Sequence, residues 1–262
     1  MPTFSIITIN LNNCSGLEKT IESVFSQTCR DFEYIIIDGG STDGSWELVQ
    51  KNSGGLKCFV SEKDGGVYDA MNKGILRATG DYLMFLNSGD YLLQPAVLSE
   101  SLAIISTHAA DIYYGNMVVE EGGKKLSRKP VKLLTLEYLE SAPINHQASF
   151  ISRPLFSELG LYDTRFSMAA DHAFYLKAFI SGKTFKYIDL DMVFYAMDGM
   201  SMIHWERYAQ QMKEIYATTV PTYAKDLHLE NKQYKHLLQH RIMRFAKNLN
   251  DRYQSLKAVK TP

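Results

Sequence analysis

Only three cysteines occur in 262 residues, and Cys14, Cys29 and Cys58 show no CxxC spacing. An odd number without that spacing excludes a disulfide framework and gives no zinc site; the three read as reduced, partly buried thiols. No window approaches the roughly 18 apolar residues of a membrane span. The formal net charge of −1 offers no basic field, so nucleic acid is not an expected partner. The loop after the first strand-like run, 10-NLNNCSG-16, does not fit GxGxxG, which excludes a dinucleotide-dependent oxidoreductase. It is no glycine-rich basic loop of the nucleotidyltransferase kind either, and no P-loop occurs. Internal repeats and low-complexity linkers are missing too. With 45% hydrophobic and 22% charged residues the chain is globular in composition, and its length suits one α/β domain with an extension or two small domains. No leader precedes the strand-like start, so a cytoplasmic location is expected, or a peripheral one on the inner face of the cell membrane.

What is present is an alternation of short apolar runs and amphipathic segments. Residues 4–9, 32–38, 56–61 and 82–86 read as strands. FEYIIID, rich in isoleucine and without polar alternation, suits a strand covered on both faces. Between them, Leu17, Ile21, Val24 and Phe25 share one helical face, a second helix runs through Trp46, Leu48 and Val49 with Ser41 or Asp43 as its cap, and a third turns Val67, Met71, Ile75 and Leu76 inward. Units of this length predict a parallel sheet of βαβ units. Farther on, the sequence predicts a helix near 95–107, a strand over 111–119, a basic turn in EEGGKKLSRK, a strand feeding a helix over 143–156, a helix over 171–182 and a strand over 185–190. From Ile203 onward it reads as helix, interrupted near Pro221.

In parallel sheets ligands bind beyond the carboxyl ends of the strands, and four polar loops fall there: 10–15, 38–44, 62–66 and 87–90. Asp38 can accept hydrogen bonds there from a nucleobase imide or a ribose hydroxyl, or simply close a turn. The loop in 85-FLNSGD-90 offers Asn87 and Ser88 before a single carboxylate, Asp90, a spot at which a hard cation could find one or two oxygen ligands.

Together, 35-IIIDGGSTDGS-45 and 62-EKDGGVYDAMNKGILRATGDYLMFLNSGD-90 resemble the family 2 glycosyltransferases, in particular the bacterial subgroup of colanic-acid and related surface-polysaccharide enzymes. The resemblance implies an α/β GT-A fold: a mainly parallel central sheet flanked by helices, with a helical C-terminal extension. Residues 1–202 would be the transferase domain (1–90 the nucleotide-binding half, 91–202 the acceptor half) and 203–262 the extension. It further implies inverting transfer of a hexosyl or N-acetylhexosaminyl group from a nucleotide-diphosphate sugar, expected to be UDP-linked, to a saccharide or lipid-linked saccharide. A divalent cation, Mn²⁺ or Mg²⁺, would sit on the diphosphate.

Carried over by position, Ile9, Leu11 and Asp38 fall on the nucleotide side, with Asp64, Gly65 and Gly66 closing over the uridine. Asn72 matches the asparagine of the family's Ala-Arg-Asn signature, with Met71 standing in place of its arginine and Lys73 as the substitute cation. Asn87 and Ser88 complete the donor side. Asp90, Asn87 and His204 are the expected metal residues, the last following 199-GMS-201. Asp171, in 168-MAADHAFYLKA-178, matches the general base, with Asp163 as competitor; His146 and Gln147 match the acceptor side. Leu11 replaces a common aromatic, Gly39 a second aspartate and Ala170 a glutamate. A catalytically silent partner module is the alternative. Residues 232–260 carry eight Lys or Arg against one acid, with Leu238, Ile242, Phe245, Leu249 and Leu256 on one helical stripe. That stripe would pack on the domain or a second subunit, or lie on an anionic membrane.

Overall fold

The structure is a computed structural model that describes residues 2–196 and 205–222, with scattered positions between 224 and 236. The chain divides into two compact units, Met1–Thr219 and Val220–Pro262. Most of the second unit, including the apolar stripe of the tail, lies outside the described residues, as does His204.

Four strands build the amino-terminal half: β1 (Phe4–Asn10), β2 (Phe32–Asp38), β3 (Cys58–Ser61) and β4 (Tyr82–Asn87). They pair in parallel in the order β3-β2-β1-β4. Every residue of β1 is buried, as in a strand covered on both faces, and its polar members Ser5, Thr8 and Asn10 are hydrogen-bonded to Glu33, Tyr34 and Asp38 of β2. The crossovers are the helices α1 (Cys14–Phe25), α2 (Ser45–Lys51) and α3 (Val67–Ile75). Asn13 caps α1 by accepting from the Gly16 amide at 3.1 Å, and Leu17, Ile21 and Val24 are its buried face. In α3 the buried set is Tyr68, Ala70, Met71, Gly74 and Ile75. Leu76, expected inward, is 72% exposed, because α3 ends at Ile75 and Leu76 turns out at its cap.

The second half mixes directions. It comprises β5 (Tyr91–Leu92), α4 (Val97–Ile105), β6 (Ile112–Glu121), β7 (Lys124–Arg128), α5 (Leu136–Ser141), β8 (Ser149–Ser152), α6 (Pro154–Glu158), α7 (Ala170–Ile180), β9 (Phe185–Phe194) and α8 (Trp205–Thr219). The sheet continues as β4-β8-β6-β9-β5, with β7 paired to β6. β8 runs antiparallel to both β4 and β6. The expected basic turn is a β-hairpin: Gly122 and Gly123 both have positive φ, 57° and 74°, as a two-residue primed turn demands, and β7 follows. Tyr208, Met212 and Ile215 form the buried stripe of α8, which packs on α7 and α5 within the first unit. The boundary expected at residue 202 therefore precedes a helix that stays with the sheet. Among the described residues no helix is long and apolar enough to cross a membrane.

Candidate active site

The carboxyl ends of β1, β2 and β4 lie side by side, with Asn10 opposite Asp38 and Ile9 opposite Asn87. Asp38 is fully buried and its oxygens are met by the protein itself. Oδ1 accepts from Asn10 Nδ2 at 2.8 Å and Ser41 Oγ at 2.5 Å; Oδ2 accepts from Ser61 Oγ at 2.6 Å and the Ser41 amide at 2.9 Å. Burial pushes the Asp38 pKa up, but the Ser41, Ser61 and Asn10 donors outweigh it and hold the carboxyl below its ordinary range. Asp38 thus knits the loops after β1, β2 and β3 together. The open face beside it belongs to other residues. A Cβ at Gly39 would stand 2.7 Å from Asp64 Oδ2 and 3.2 Å from Leu11 Cδ1. Leu11 (60% exposed), Gly39 and Asp64 therefore meet at one point, and a side chain at position 39 would occupy the space that Asp64 fills.

Several expected donor contacts are committed elsewhere. Ile9 is a core side chain, and its carbonyl accepts from the Ser88 amide at 3.0 Å. Met71 is fully buried, so this position points into the core rather than toward a diphosphate. Asn72 clasps the Tyr162 backbone in both directions, at 2.9 and 3.0 Å. Lys73 pairs with Glu62 at 2.9 Å and Asp69 at 3.6 Å, which raises its pKa, the Glu62 hydrogen bond being the main cause. Gly65 and Gly66 donate their amides to Asp69 and Asp64 and shape the turn into α3.

At the end of β4 the loop is tied down by Asn13, whose Nδ2 donates to the Ser88 carbonyl at 2.9 Å, and by Thr20, which donates to the Asp90 carbonyl at 2.7 Å. Asp90 is buried, and its Oδ1 accepts from the Ala196 amide at 3.0 Å. Two acceptors at this edge have no hydrogen-bond partner although buried: Asn10 Oδ1 and Asn87 Oδ1. Such orphans are costly unless a ligand meets them. No cluster of three metal-ligating His, Cys, Asp or Glu side chains occurs among the described residues. The oxygen donors present, Asn87 Oδ1 and the Asp90 carboxylate, fit a hard cation held chiefly by a diphosphate.

The antiparallel pairing of β8 with β4 sets Leu83 opposite Ile151, so the short turn His146–Ala148 that precedes β8 arrives beside the end of β4. There His146 Nε2 lies 3.5 Å from Asn87 Nδ2, while Nδ1 bonds Asp171 Oδ2 at 2.8 Å. Tyr68, from α3, donates to Asp171 Oδ1 at 2.7 Å. Asp171 is 7% exposed and lies in the first turn of α7, where the helix N-terminus favours a negative charge. Burial raises its pKa; His146, Tyr68 and the His172 amide outweigh that and keep it below the usual carboxylate range. The next residue, His172, is fully buried, and burial pushes its pKa down. Gln147 is buried in the same short turn as His146. Asp163 is clasped by Arg165 at 2.6 Å, which lowers its pKa and leaves it no part in this group. Sequence reasoning missed Tyr68 and Asn10. The signal for Asn10 was a polar residue closing an apolar strand; for Tyr68, 103 positions from Asp171, there was none.

The family model described as "Glycosyl transferase family 2" matches residues 5–159. An uncharacterized glycosyltransferase of Mycobacterium tuberculosis is 37% identical over 180 residues, covering 68% of this chain and 69% of the relative. The PGL/p-HBAD biosynthesis glycosyltransferase of Mycobacterium bovis is 35% identical over 188 residues, covering 68% and 70%. Among solved structures, S. aureus TarS 1-349 in complex with UDP-GlcNAc superposes with a TM-score of 0.65 at 19% identity, over 86% of this chain and 69% of that one. The Pyrobaculum calidifontis mannosyltransferase PcManGT, in complex with GDP-Man and Mn²⁺, gives 0.65 at 19% identity, over 87% and 69%.

Proposed function

This chain belongs to glycosyl transferase family 2 and has the GT-A fold, and from that premise we propose that it is an inverting enzyme of surface-glycan assembly, moving a sugar from a UDP-linked donor to an acceptor hydroxyl. The observation that carries the reading is the buried Tyr68–Asp171–His146 group at the end of β4, beside the orphaned oxygen of Asn87. That chain of hydrogen bonds ends at Asn87, whose buried Oδ1 has no protein partner, so it leads to an edge that a ligand would complete.

The chemistry follows from which atoms are free. Both Asp171 oxygens are engaged, so the carboxylate orients the imidazole through Nδ1 and leaves Nε2 at the end of β4 with only the long 3.5 Å contact to Asn87 Nδ2. The acceptor hydroxyl oxygen attacks the anomeric carbon from the face opposite the diphosphate. Its proton passes to His146 Nε2, and the electron pair of the breaking bond leaves with the nucleotide diphosphate. Asp171 stabilises the imidazolium that forms. A divalent cation held by the diphosphate, Asp90 and Asn87 Oδ1 would neutralise the leaving group's charge. Leu11 and Asp64 supply the base side. The GDP-Man and UDP-GlcNAc carried by the structural relatives give two donor classes to compare.

Calorimetry with UDP and GDP, with and without Mn²⁺, followed by donor hydrolysis, tests this reading. UDP affinity should rise with Mn²⁺ and fall in Asp90→Ala. Equal affinity with and without the ion removes the cation, and no turnover with any nucleotide sugar favours the silent module.

A further inference from the structure

We propose that the β6–β7 hairpin and the segment after it form a docking face for an anionic membrane surface. The hairpin and the segment after it, residues 112–136, carry five cations, Lys124, Lys125, Arg128, Lys129 and Lys132, against two acids, Glu120 and Glu121, in a chain whose net charge is −1. β7 pairs only with β6, and all its residues are exposed. Strand alternation sorts them. Ser127 donates to Asp191 at 2.5 Å and Lys125 lies over the Tyr91 and Phe194 rings, so that face turns to the sheet. Lys124, Leu126 and Arg128 face the other way.

Arg128 pairs with Glu121, and Lys129 with Asp189 at 2.8 Å, whereas neither Lys124 nor Lys132 has an acidic partner among the described residues. Beyond the strand, Val131 and Leu133 are exposed, Leu133 at 79%, on a segment anchored by the Tyr114 hydroxyl donating to the Val131 carbonyl at 3.0 Å. Unpaired lysines interleaved with exposed aliphatics match lipid headgroups above acyl chains. A soluble anion or a nucleic acid would use the charges and leave Leu126 and Leu133 in water. The register sets Val119 opposite Leu126 and Met117 opposite Arg128, so these share one sheet face. On that face a groove of about 350 Å³, lined by Met117, Val119, Pro130, Tyr138 and Pro143, runs to Asn145, the neighbour of His146. A hydroxyl carried by a membrane lipid would thus enter next to the candidate base, although the docking face stands independently of the transfer chemistry.

The test is co-sedimentation of the full chain with phosphatidylglycerol-containing and pure phosphatidylcholine vesicles at low and high salt. The chain should bind only the anionic vesicles, and less at high salt. Each surface lysine contributes about fivefold near such a membrane, so Lys124→Gln/Lys132→Gln should weaken binding about 25-fold; Leu133→Asp should weaken it at constant charge. Donor hydrolysis should be unchanged in both variants, which separates this proposal from the transfer reading. A parallel Arg241→Gln/Arg244→Gln/Lys247→Gln variant probes the basic tail. The proposal is overturned if the parent does not bind, if lipid charge is irrelevant, or if the tail variant loses binding while the hairpin variant keeps it.

Discussion

Replacing His146 by glutamine separates what the buried pair does for folding from what it does for chemistry. The imidazole stands 2.8 Å from a carboxylate that is 7% exposed. With it gone, Asp171 keeps only the Tyr68 hydroxyl and the end of α7. Losing a hydrogen bond to a buried charged group costs about 1.5–3 kcal/mol. For a unit of this size each kcal/mol is about 2–4 °C of Tm, so a fall of roughly 3–12 °C is expected. Asp171→Asn costs less, because a neutral amide is easier to bury than an unpaired charge. Each single variant should lower kcat by about two to four orders of magnitude while leaving donor KM nearly unchanged. The double variant should then be within about tenfold of the worse single, since two groups that hold one proton between them act as a unit. Thermal denaturation and UDP release, measured on the same samples well below the lower Tm, give both readouts. Losses that multiply, or a His146→Gln enzyme with parental kcat, would refute the shared role and return the base to Asp171 alone.

Two further outcomes follow from burial. Met71→Arg restores the family's usual residue but places a guanidinium at a fully buried position; we expect several kcal/mol of destabilisation and no gain in donor affinity, and tighter UDP binding at unaltered Tm would contradict the packing argument. Glu33 is buried at the opposite end of the sheet: burial raises its pKa, and Lys57, Thr79 and Ser5 outweigh that and hold it at about 2, against 4.5 in the unfolded chain. A depressed carboxyl stabilises fully above the unfolded value and loses that contribution as pH falls toward the folded one, about 3 kcal/mol in all and roughly 2 kcal/mol between pH 7 and pH 3. Urea unfolding at the two pH values should therefore show a smaller acid loss in Glu33→Gln than in the parent, and an equal loss would rule this account out.

The alternation of strands and helices through β4 was legible because strands covered on both faces are predominantly apolar and β-branched, while the loops at their carboxyl ends are polar; DGGSTDGS and DAMNKG carried the family on top of that. β7 escaped because both its faces meet water, so KKLSR shows no alternation, although the Gly122–Gly123 turn signalled a hairpin. α5 buries only Leu139 and left no periodic trace. Asp171 and His146 could each be reached by motif, but not their pairing, and Tyr68 not at all. Tyr68 and His146 lie 103 and 25 positions away, and only the packing of α3 and the antiparallel return of β8 bring them within hydrogen-bond reach. The same packing turned Met71 inward and gave Asp38 five protein side-chain and backbone donors where a ligand had been expected. Chain periodicity sets which side of an element is apolar, since that depends on neighbours three or four residues apart. Which polar groups then meet depends on how whole elements pack, and no local spacing encodes that.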